Sequence, residues 1–210
     1  MVQHPLPSSP PLRLVRLSEE TDLVVRCTAG DPVAQRALFE RERRRVHALL
    51  YRMVGSNAPM DDLLQETFLQ VFRSLPTFRG ESSLRTWIDR CAVRVAYAYF
   101  GRKPRTTALE CVQDVETEAP SAEERMSMRE AVRRLYAELD RLEPRLRLAF
   151  TLFAVENRSL REVAEIMEST LATAKIRVWR ARRALEERAK KDPLLSEFFD
   201  DGFAIAKDDR

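Results

Sequence analysis

The sequence predicts an all-α protein made of two small helical domains joined by an acidic linker. Only five of its 210 residues are glycine, which disfavours a β-sandwich because such folds need many glycine-containing turns. Apolar residues recur at helical spacing, and prolines and glycines separate the helical segments. One third of the residues are charged and 44% are hydrophobic, which is typical of a soluble globular chain and not of a disordered or collagen-like one.

The numbers of cysteine and histidine residues and the lengths of the apolar runs disfavour zinc-binding, disulfide-rich and membrane-spanning proteins. The three cysteines are widely spaced without a CxxC pair, and the chain has only two histidines, so neither a zinc site nor a disulfide framework is favoured. We therefore expect a reducing, cytoplasmic compartment and no cofactor. No apolar run approaches the roughly 18 residues of a membrane span. Residues 1–19 are proline-rich and are predicted to be a flexible lead rather than a secretory signal.

The first domain is predicted over residues 20–103 as four helices. The Gly-Asp-Pro at 30–32 supplies a helix stop, an N-cap and a first helical residue. Gly55 ends the second helix, Pro76 ends the third, and the fourth begins near Leu84. The third helix carries an apolar stripe that consists of Leu63, Leu64, Phe68, Val71, Phe72 and Leu75.

The chain changes character after this domain. Residues 104–125 are predicted to be an acidic, extended linker, since 104–124 contain six acids and one arginine. The helical period returns over residues 126–191, with a break at Pro144, and predicts the second domain. The tail, residues 192–210, is acidic but contains apolar side chains, and is predicted as either a short docking helix or a disordered segment.

Positive charge is concentrated in two segments. Residues 84–105 contain six bases and one acid, and residues 171–191 contain eight bases and two acids. Two basic segments on either side of an acidic linker suggest two contacts with one polyanion. Solvated helix faces are the alternative interpretation.

A helix-turn-helix is predicted in the second domain. Ser159 and Glu162 have the spacing of a capping box, and a turn over residues 168–170 ends with Thr170 as the cap of a second helix. The core side of that helix consists of Ala174, Val178, Ala181 and Leu185, and the residues away from it are Ala172, Thr173, Ile176, Arg180 and Arg183, with Lys175 and Arg177 on the flanks. Arginine and lysine suit guanine edges and phosphates, whereas apolar groups suit thymine methyls. The outward Ile176 is expected to contact base methyls and the outward Trp179 to dock on a protein. An amphipathic surface helix of a bundle is the alternative.

Two features of the first domain could bind a ligand, one a metal ion and the other single-stranded DNA. Asp62 and Glu66 share a helix face and are spaced to hold Mg²⁺. No nucleophile, phosphate loop or histidine base accompanies them, and acids in a first turn are already favoured by the helix dipole. The loop at residues 78–83 precedes a basic helix containing aromatic residues, a combination suited to single-stranded DNA and to a pocket for a flipped base. Trp87 in that helix also fits an ordinary core position.

Taken together, these motifs resemble bacterial RNA polymerase sigma factors of the extracytoplasmic-function group, which keep the second and fourth sigma domains. Residues 62–68 match the D-x-x-Q-E-x-F motif of that family, and residues 78–80 with Trp87 match its promoter-melting region. The fourth-domain pattern is matched by Ser159, Glu162, Ala164, Thr173, Lys175, Arg177, Arg180, Ala181 and Arg182. The resemblance covers about residues 20–103 and 126–190.

The resemblance implies a non-enzymatic sigma factor that binds core RNA polymerase, recognises the −35 and −10 promoter elements and promotes DNA melting. Its implied partners are the beta-prime clamp and beta flap of polymerase, promoter DNA and an anti-sigma factor, and the linker would thread toward the active-site and RNA-exit channel. The implied polymerase contacts are Asp61, Asp62, Gln65, Glu66 and Phe68. The implied −10 contacts are Phe78, Arg79, Gly80, Ser82, Trp87 and Arg94, and the implied −35 contacts are Thr173, Lys175, Ile176, Arg177 and Arg180.

The chain departs from the family pattern at several positions. Arg94 and Ala98 stand where members often have asparagine and then aspartate, Glu168 replaces the usual glycine of the turn, and Ala174 replaces the usual valine. Two other functions stay open on the residues alone. A stand-alone helix-turn-helix regulator would not need the Asp62 face for polymerase, and a metal-dependent nucleic-acid enzyme would use Asp62 and Glu66 as ligands.

Overall fold

The computed structural model describes residues 12–102, 122–193 and 195–196. Helices and turns, and no strand, make up these residues, which confirms the all-α prediction. The helices are α1 (Leu12–Thr28), α2 (Pro32–Val54), α3 (Met60–Ser74), α4 (Leu84–Arg102), α5 (Ala122–Leu139), α6 (Pro144–Phe150), α7 (Leu160–Ile166) and α8 (Leu171–Ala189). A 3-10 turn follows α3, and a π-helical segment (Thr151–Val155) continues α6. None of the helices in the described ranges has the length and apolarity needed to cross a membrane.

The ends of α2 follow from local chemistry as predicted. The Asp31 side chain accepts hydrogen bonds from the backbone N–H groups of Val33 (2.8 Å) and Ala34 (3.3 Å), and Pro32 is the first helical residue. Gly55 ends the helix with φ of 75°. A Cβ at Gly55 would also lie 2.4 Å from the Tyr136 ring, so both the backbone conformation and the close approach require glycine.

Two predicted boundaries shift. Helix α1 begins at Leu12, within the predicted flexible lead, because no proline or glycine interrupts the segment from Leu12 to Thr28. Helix α5 begins at Ala122, within the predicted linker, where Glu123 and Glu124 favour a helix N-terminus. Residues 103–121, which include most of the predicted linker, and residues 197–210 of the predicted tail lie outside the described residues.

Residues 12–102, called the first unit below, pack around the predicted stripe of α3. Leu63, Phe68, Val71 and Leu75 are buried, and α3 contacts both α2 and α4. The Phe68 ring meets the Phe39 ring edge-on, with centroids 4.8 Å apart. The helical period in the sequence therefore identified the core side of this helix correctly.

Residues 122–196, called the second unit, share an apolar core with the first unit. Leu148, Leu152 and Val163 from α6, the π-helical segment and α7 belong to the same buried cluster as residues of α2, α3 and α4. A smaller cluster joins α5, α6, α8 and Leu195. The sequence predicts two domains on a linker, and the structure adds that they are in direct contact.

Arg147 is a buried polar link between the units. Its side chain is 2% exposed, and it donates hydrogen bonds to the backbone oxygens of Met53 (2.8 Å) and Val54 (2.7 Å) at the C-terminal end of α2. Asp140 pairs with the same guanidinium, which also lies 4.6 Å above the Phe100 ring centroid. Burial lowers the pKa of Arg147 and Asp140 opposes that shift. The second unit thus satisfies carbonyl groups that α2 leaves free at its end.

Candidate nucleic-acid interface

The helix-turn-helix begins with the predicted capping box. Ser159 Oγ accepts a hydrogen bond from the Glu162 backbone N–H (3.3 Å), and Glu162 Oε2 accepts one from the Ser159 backbone N–H (2.9 Å). The hydrogen bonds that the Ser159 backbone N–H and hydroxyl donate to the Glu162 carboxylate lower the pKa of Glu162. Thr170 Oγ1 likewise accepts from the Thr173 backbone N–H at 3.1 Å and caps α8. Both helices of the motif therefore have defined starting points.

The turn between these helices contains a strained residue. Glu168 has φ of 48°, in the left-handed region that favours glycine. The backbone N–H of the next residue, Ser169, donates to the Ala164 carbonyl at 2.9 Å and closes the turn. Glu168 therefore takes the conformation that the usual glycine would take, at a cost of about 1 kcal/mol or more.

Helix α8 presents a basic face to solvent. Its predicted core side is buried, and Lys175, Ile176 and Arg180 are exposed on the other side, with Thr173 and Arg177 partly exposed. Within the ranges that the structure describes, Lys175, Arg177 and Arg180 form no ion pair. These cations are thus available to bases and phosphates of a major groove.

Trp179 adds an exposed aromatic ring to that face. Its side chain is 56% exposed, and the Arg183 guanidinium lies 5.5 Å from the ring centroid. Arg183 also donates to Glu187 one turn further along α8 (3.1 Å). The outward direction of Trp179 and Ile176 agrees with the helical phase, while docking of Trp179 on a protein stays a prediction.

A cavity of about 320 Å³ lies between the loop after α3 and the start of α4. Its lining residues are Thr77, Phe78, Arg79, Glu81, Ser82, Trp87 and Arg90. Phe78 and Trp87 meet edge-on with ring centroids 5.5 Å apart, and the buried Trp87 Nε1 has no hydrogen-bond partner among the described residues. The two rings together with Arg79 and Arg90 suit one unpaired base.

The structure groups most of the predicted −10 residues at this cavity and separates two. Phe78, Arg79, Ser82 and Trp87 line it, whereas Gly80 (φ 74°) shapes the loop without lining it. Sequence reasoning missed Arg90, although its position three residues after Trp87 on one helix places both on the same side.

Arg94, the other predicted −10 residue that lies outside the cavity, is bound to the second unit. Its Nε donates to Glu168 Oε2 at 3.1 Å, and its Nη2 donates to the other carboxylate oxygen. Arg90 is bound in the same way, since its Nε donates to the Glu165 carbonyl (3.0 Å) and its Nη2 to the Glu165 side chain (3.3 Å). Two cations of α4 thus face acids of the helix-turn-helix.

The predicted polymerase contacts lie on α3. Asp61, Asp62, Gln65 and Glu66 are exposed on the side opposite the buried stripe. Phe68 is only 3% exposed. Its ring therefore supports the exposed face from the core, and the expected direct contact between Phe68 and a partner does not fit its burial. No cluster of three or more metal-ligating side chains occurs in the described part of the chain, so the Asp62–Glu66 pair has no third ligand.

Comparisons with known proteins agree with these observations. The family description Sigma-70 region 2 matches residues 38–106, and the description Sigma-70, region 4 matches residues 132–185. The chain is 31% identical over 183 residues to the ECF RNA polymerase sigma-E factor of Escherichia coli (strain K12), covering 82% of this chain and 94% of that protein. It is 33% identical over 184 residues to the protein of that name from Haemophilus influenzae, covering 82% and 95%.

Solved structures share the fold. CnrH, in complex with the cytosolic domain of CnrY, aligns with a TM-score of 0.58 at 19% identity over 82% of this chain and 98% of that chain. The sigma factor RpoE of Bartonella quintana, in complex with the anti-sigma factor NepR, aligns with a TM-score of 0.53 at 18% identity over 75% and 97%.

Proposed function

The chain belongs to the extracytoplasmic-function sigma factors, and on that premise we propose that it brings core RNA polymerase to promoters with separate −35 and −10 contacts. The first unit binds polymerase and holds one unpaired base of the −10 element in the cavity near Trp87. The second unit places α8 in the major groove of the −35 element. The chain has no catalytic role in the reaction.

The same chain has a cavity that combines aromatic rings with cations on the first unit, and a helix with unpaired outward cations on the second. The first combination suits single-stranded DNA because bases stack on rings while phosphates attract cations. The second suits duplex DNA because a helix of this kind fits the major groove. A factor that opens a promoter needs both.

The exposed acidic face of α3 is the proposed polymerase contact. Asp61, Asp62, Gln65 and Glu66 extend from a helix whose other side is locked into the core, so the face is rigid and free in the described arrangement. A preorganised charged face suits docking on a basic surface of a larger protein. A stand-alone regulator has no need for such a face.

A partner that restrains the chain is also part of the proposal. The structural neighbours named above are complexes with CnrY and with the anti-sigma factor NepR, which favours an anti-sigma factor as a partner here too. Because polymerase and the chromosome share the bacterial cytoplasm, a cytoplasmic location follows from the proposed activity.

The test is transcription with purified components. With core polymerase and genomic DNA, we expect the chain to produce transcripts whose start sites share −35 and −10 sequences. Charge reversal in Asp62→Lys should lower the affinity for core polymerase about tenfold or more, since like charges then face each other. Asp22→Lys, which reverses an exposed acid on α1, is the matched control and should leave that affinity unchanged. Absence of binding to core polymerase by the unmodified chain would contradict the proposal.

A further inference from the structure

The buried stripe of α5 extends beyond the part of the helix that is covered. Leu135 and Leu139 are 5% and 1% exposed and belong to the cluster that joins α5 to α8, and Ala131 is 7% exposed. Met128 comes three residues before Ala131 and seven before Leu135, so helical phase places it in the middle of the same stripe. Its side chain is nevertheless 56% exposed. The described residues therefore leave an apolar position of this stripe largely uncovered.

Met126 is exposed for a different reason. It lies two residues before Met128, about 200° around the helix, and its side chain is 73% exposed. Glu130 and Arg133, the next residues on its side, pair with each other at the surface (2.6 and 2.7 Å). Met126 thus belongs to the solvent side of α5, and a segment that covers Met128 leaves Met126 exposed.

The end of the chain runs back along α5. Arg188, in the last turn of α8, donates to the Glu138 carbonyl at 3.2 Å. Asp192 accepts from the Arg134 guanidinium at 2.8 and 2.9 Å. Four residues forward in the chain thus correspond to four residues back on α5. This antiparallel course leads from Asp192 toward Met128.

The tail begins as a helix. The Asp192 carbonyl accepts a hydrogen bond from the Ser196 backbone N–H at 2.9 Å, and Pro193 occupies the first helical position. Leu195 is 2% exposed and belongs to the cluster that joins α5 to α8. The first turn of the tail therefore already has an apolar side, and that side packs on these two helices.

The sequence after this turn continues the apolar side. Phe198 and Phe199 come three and four residues after Leu195, which is the spacing of one helix face. Gly202 follows as a helix stop. The pattern predicts a helix over residues 193–201 with both rings on the side of Leu195.

The register of the described contacts brings these rings to the uncovered methionine. A helix in the tail advances by the same rise per residue as α5. Residue 198 lies six residues after Asp192, and Met128 lies six residues before Arg134. The pairing of Asp192 with Arg134 therefore sets residue 198 opposite Met128. Contact between a thioether and aromatic rings is favourable.

Charge also favours the tail as the occupant of this surface. Residues 197–201 contain three acids and no base, whereas residues 125–134 of α5 contain four arginines and one glutamate. In the antiparallel arrangement Asp200 and Asp201 come beside the N-terminal end of α5, where the helix dipole favours negative charge. Because the tail is tethered next to this surface, its effective concentration there is high compared with that of a free partner.

We propose that residues 193–201 form an amphipathic helix that docks antiparallel on the N-terminal half of α5, with Phe198 and Phe199 covering Met128. The helix completes the core of the second unit at the end where α5 begins. The match to Sigma-70, region 4 ends at residue 185, so this helix lies outside the part of the chain that the family description covers. The docking requires neither polymerase nor DNA and goes beyond the promoter function.

Methionine oxidation tests this docking at single residues. The full chain and a chain that ends at Ser196 are treated with hydrogen peroxide, and fragment-ion mass spectrometry measures the sulfoxide at each methionine. In the full chain we expect Met128 to be oxidised about fivefold more slowly than Met126, because burial limits access of the oxidant. In the shortened chain the two rates should agree within about twofold, since the exposed fractions are 56% and 73%.

Two matched variants locate the contact within the tail. Phe198→Ala with Phe199→Ala should raise the oxidation rate of Met128 to that in the shortened chain. Phe203→Ala removes a ring beyond the helix stop and should leave Met128 protected. Met60, which is 2% exposed in the first unit, should be oxidised slowly in every form and shows that the fold is intact.

Hydrogen exchange provides a second measurement of the same contact. Backbone amides of residues 125–130 should exchange about tenfold faster in the shortened chain, because the first turns of α5 lose their packing. The amides of α3 are the control and should exchange at an unchanged rate.

The outcomes separate this docking from the promoter function. Equal oxidation rates of Met126 and Met128 in the full chain would overturn the docking, and so would protection of Met128 that survives removal of the tail. Protection that falls when the protein is diluted would assign the surface to a second copy of the chain and would also overturn it. A protected Met128 in a chain that never supports transcription would overturn the promoter function alone.

Discussion

Two cations of α4 and three cations of α8 are in opposite states. Arg90 and Arg94 on α4 are bound to acids of the other unit, whereas Lys175, Arg177 and Arg180 on α8 have no acidic partner within the described ranges. The two segments have similar excess positive charge in the sequence. Charge along the chain therefore makes both segments candidate surfaces for a polyanion, but only the fold tells which of their cations lack an acidic partner.

This difference predicts an order of events at the promoter. Under the proposed function, Arg90 and Arg94 must exchange their acidic partners for DNA, whereas the unpaired cations of α8 need no such exchange. Glu165→Gln with Glu168→Gln should accordingly strengthen binding to a −10 single strand, because Arg90 and Arg94 lose their acidic partners, and leave binding to a −35 duplex unchanged.

Replacement of Arg147 should weaken the contact between the two units, and with it the difference in accessibility between the α4 and α8 cations. Arg147→Leu leaves the Met53 and Val54 carbonyls without their donor, and Asp140 without its cation. Losing one member of a buried, hydrogen-bonded charge set costs about 3–5 kcal/mol. We expect urea denaturation to show a fall of that size in the free energy of unfolding.

Arg145 supplies the control for that measurement. It is exposed on the same helix and lies over the Tyr97 ring at 5.4 Å. Arg145→Leu should change the free energy of unfolding by less than about 1 kcal/mol. Equal effects of the two substitutions would mean that the buried guanidinium is not what joins the units.

Replacement of Arg180 should lower the affinity of α8 for DNA and leave the α4 surface unchanged. If its guanidinium contacts a base, Arg180→Ala lowers the affinity for the preferred −35 duplex by about 1–3 kcal/mol and relaxes the preference at one position. An equal loss on all sequences, with a shallower dependence on salt, would identify a phosphate contact instead. Arg182→Ala is the comparison, since Glu186 already engages that guanidinium, and it should have a smaller effect.

The sequence was sufficient for features that depend on neighbouring residues. The caps at Asp31, Ser159 and Thr170, the glycine end of α2 and the core side of α8 were predicted and are confirmed. Each of these depends on hydrogen bonds or helical phase within a few residues. Such features do not require knowledge of what packs against the helix.

The contact between the units could not be predicted in the same way. Arg147 looks like any basic residue of an amphipathic helix, and only the position of the α2 carbonyls shows why it is buried. The pairing of Arg94 with Glu168 joins residues that lie far apart in the chain. Arg90 was missed as a lining residue of the cavity because its place there depends on how the loop before α4 folds back over that helix.

Titration of Tyr136 should give the smallest of these effects, and it measures directly whether the two units are in contact. Its hydroxyl donates to the Arg52 carbonyl at 3.0 Å, and burial raises its pKa to about 12. Because the folded chain favours the neutral phenol, this group's contribution to stability is complete below about pH 10, its ordinary pKa, and is lost as the pH rises toward 12. The difference between the 295 nm titration curves of the unmodified chain and Tyr136→Phe should therefore show a step near pH 12. A step near pH 10 would mean that solvent reaches Tyr136 and that the units are apart in the free chain, with the α4 cations as accessible as those of α8.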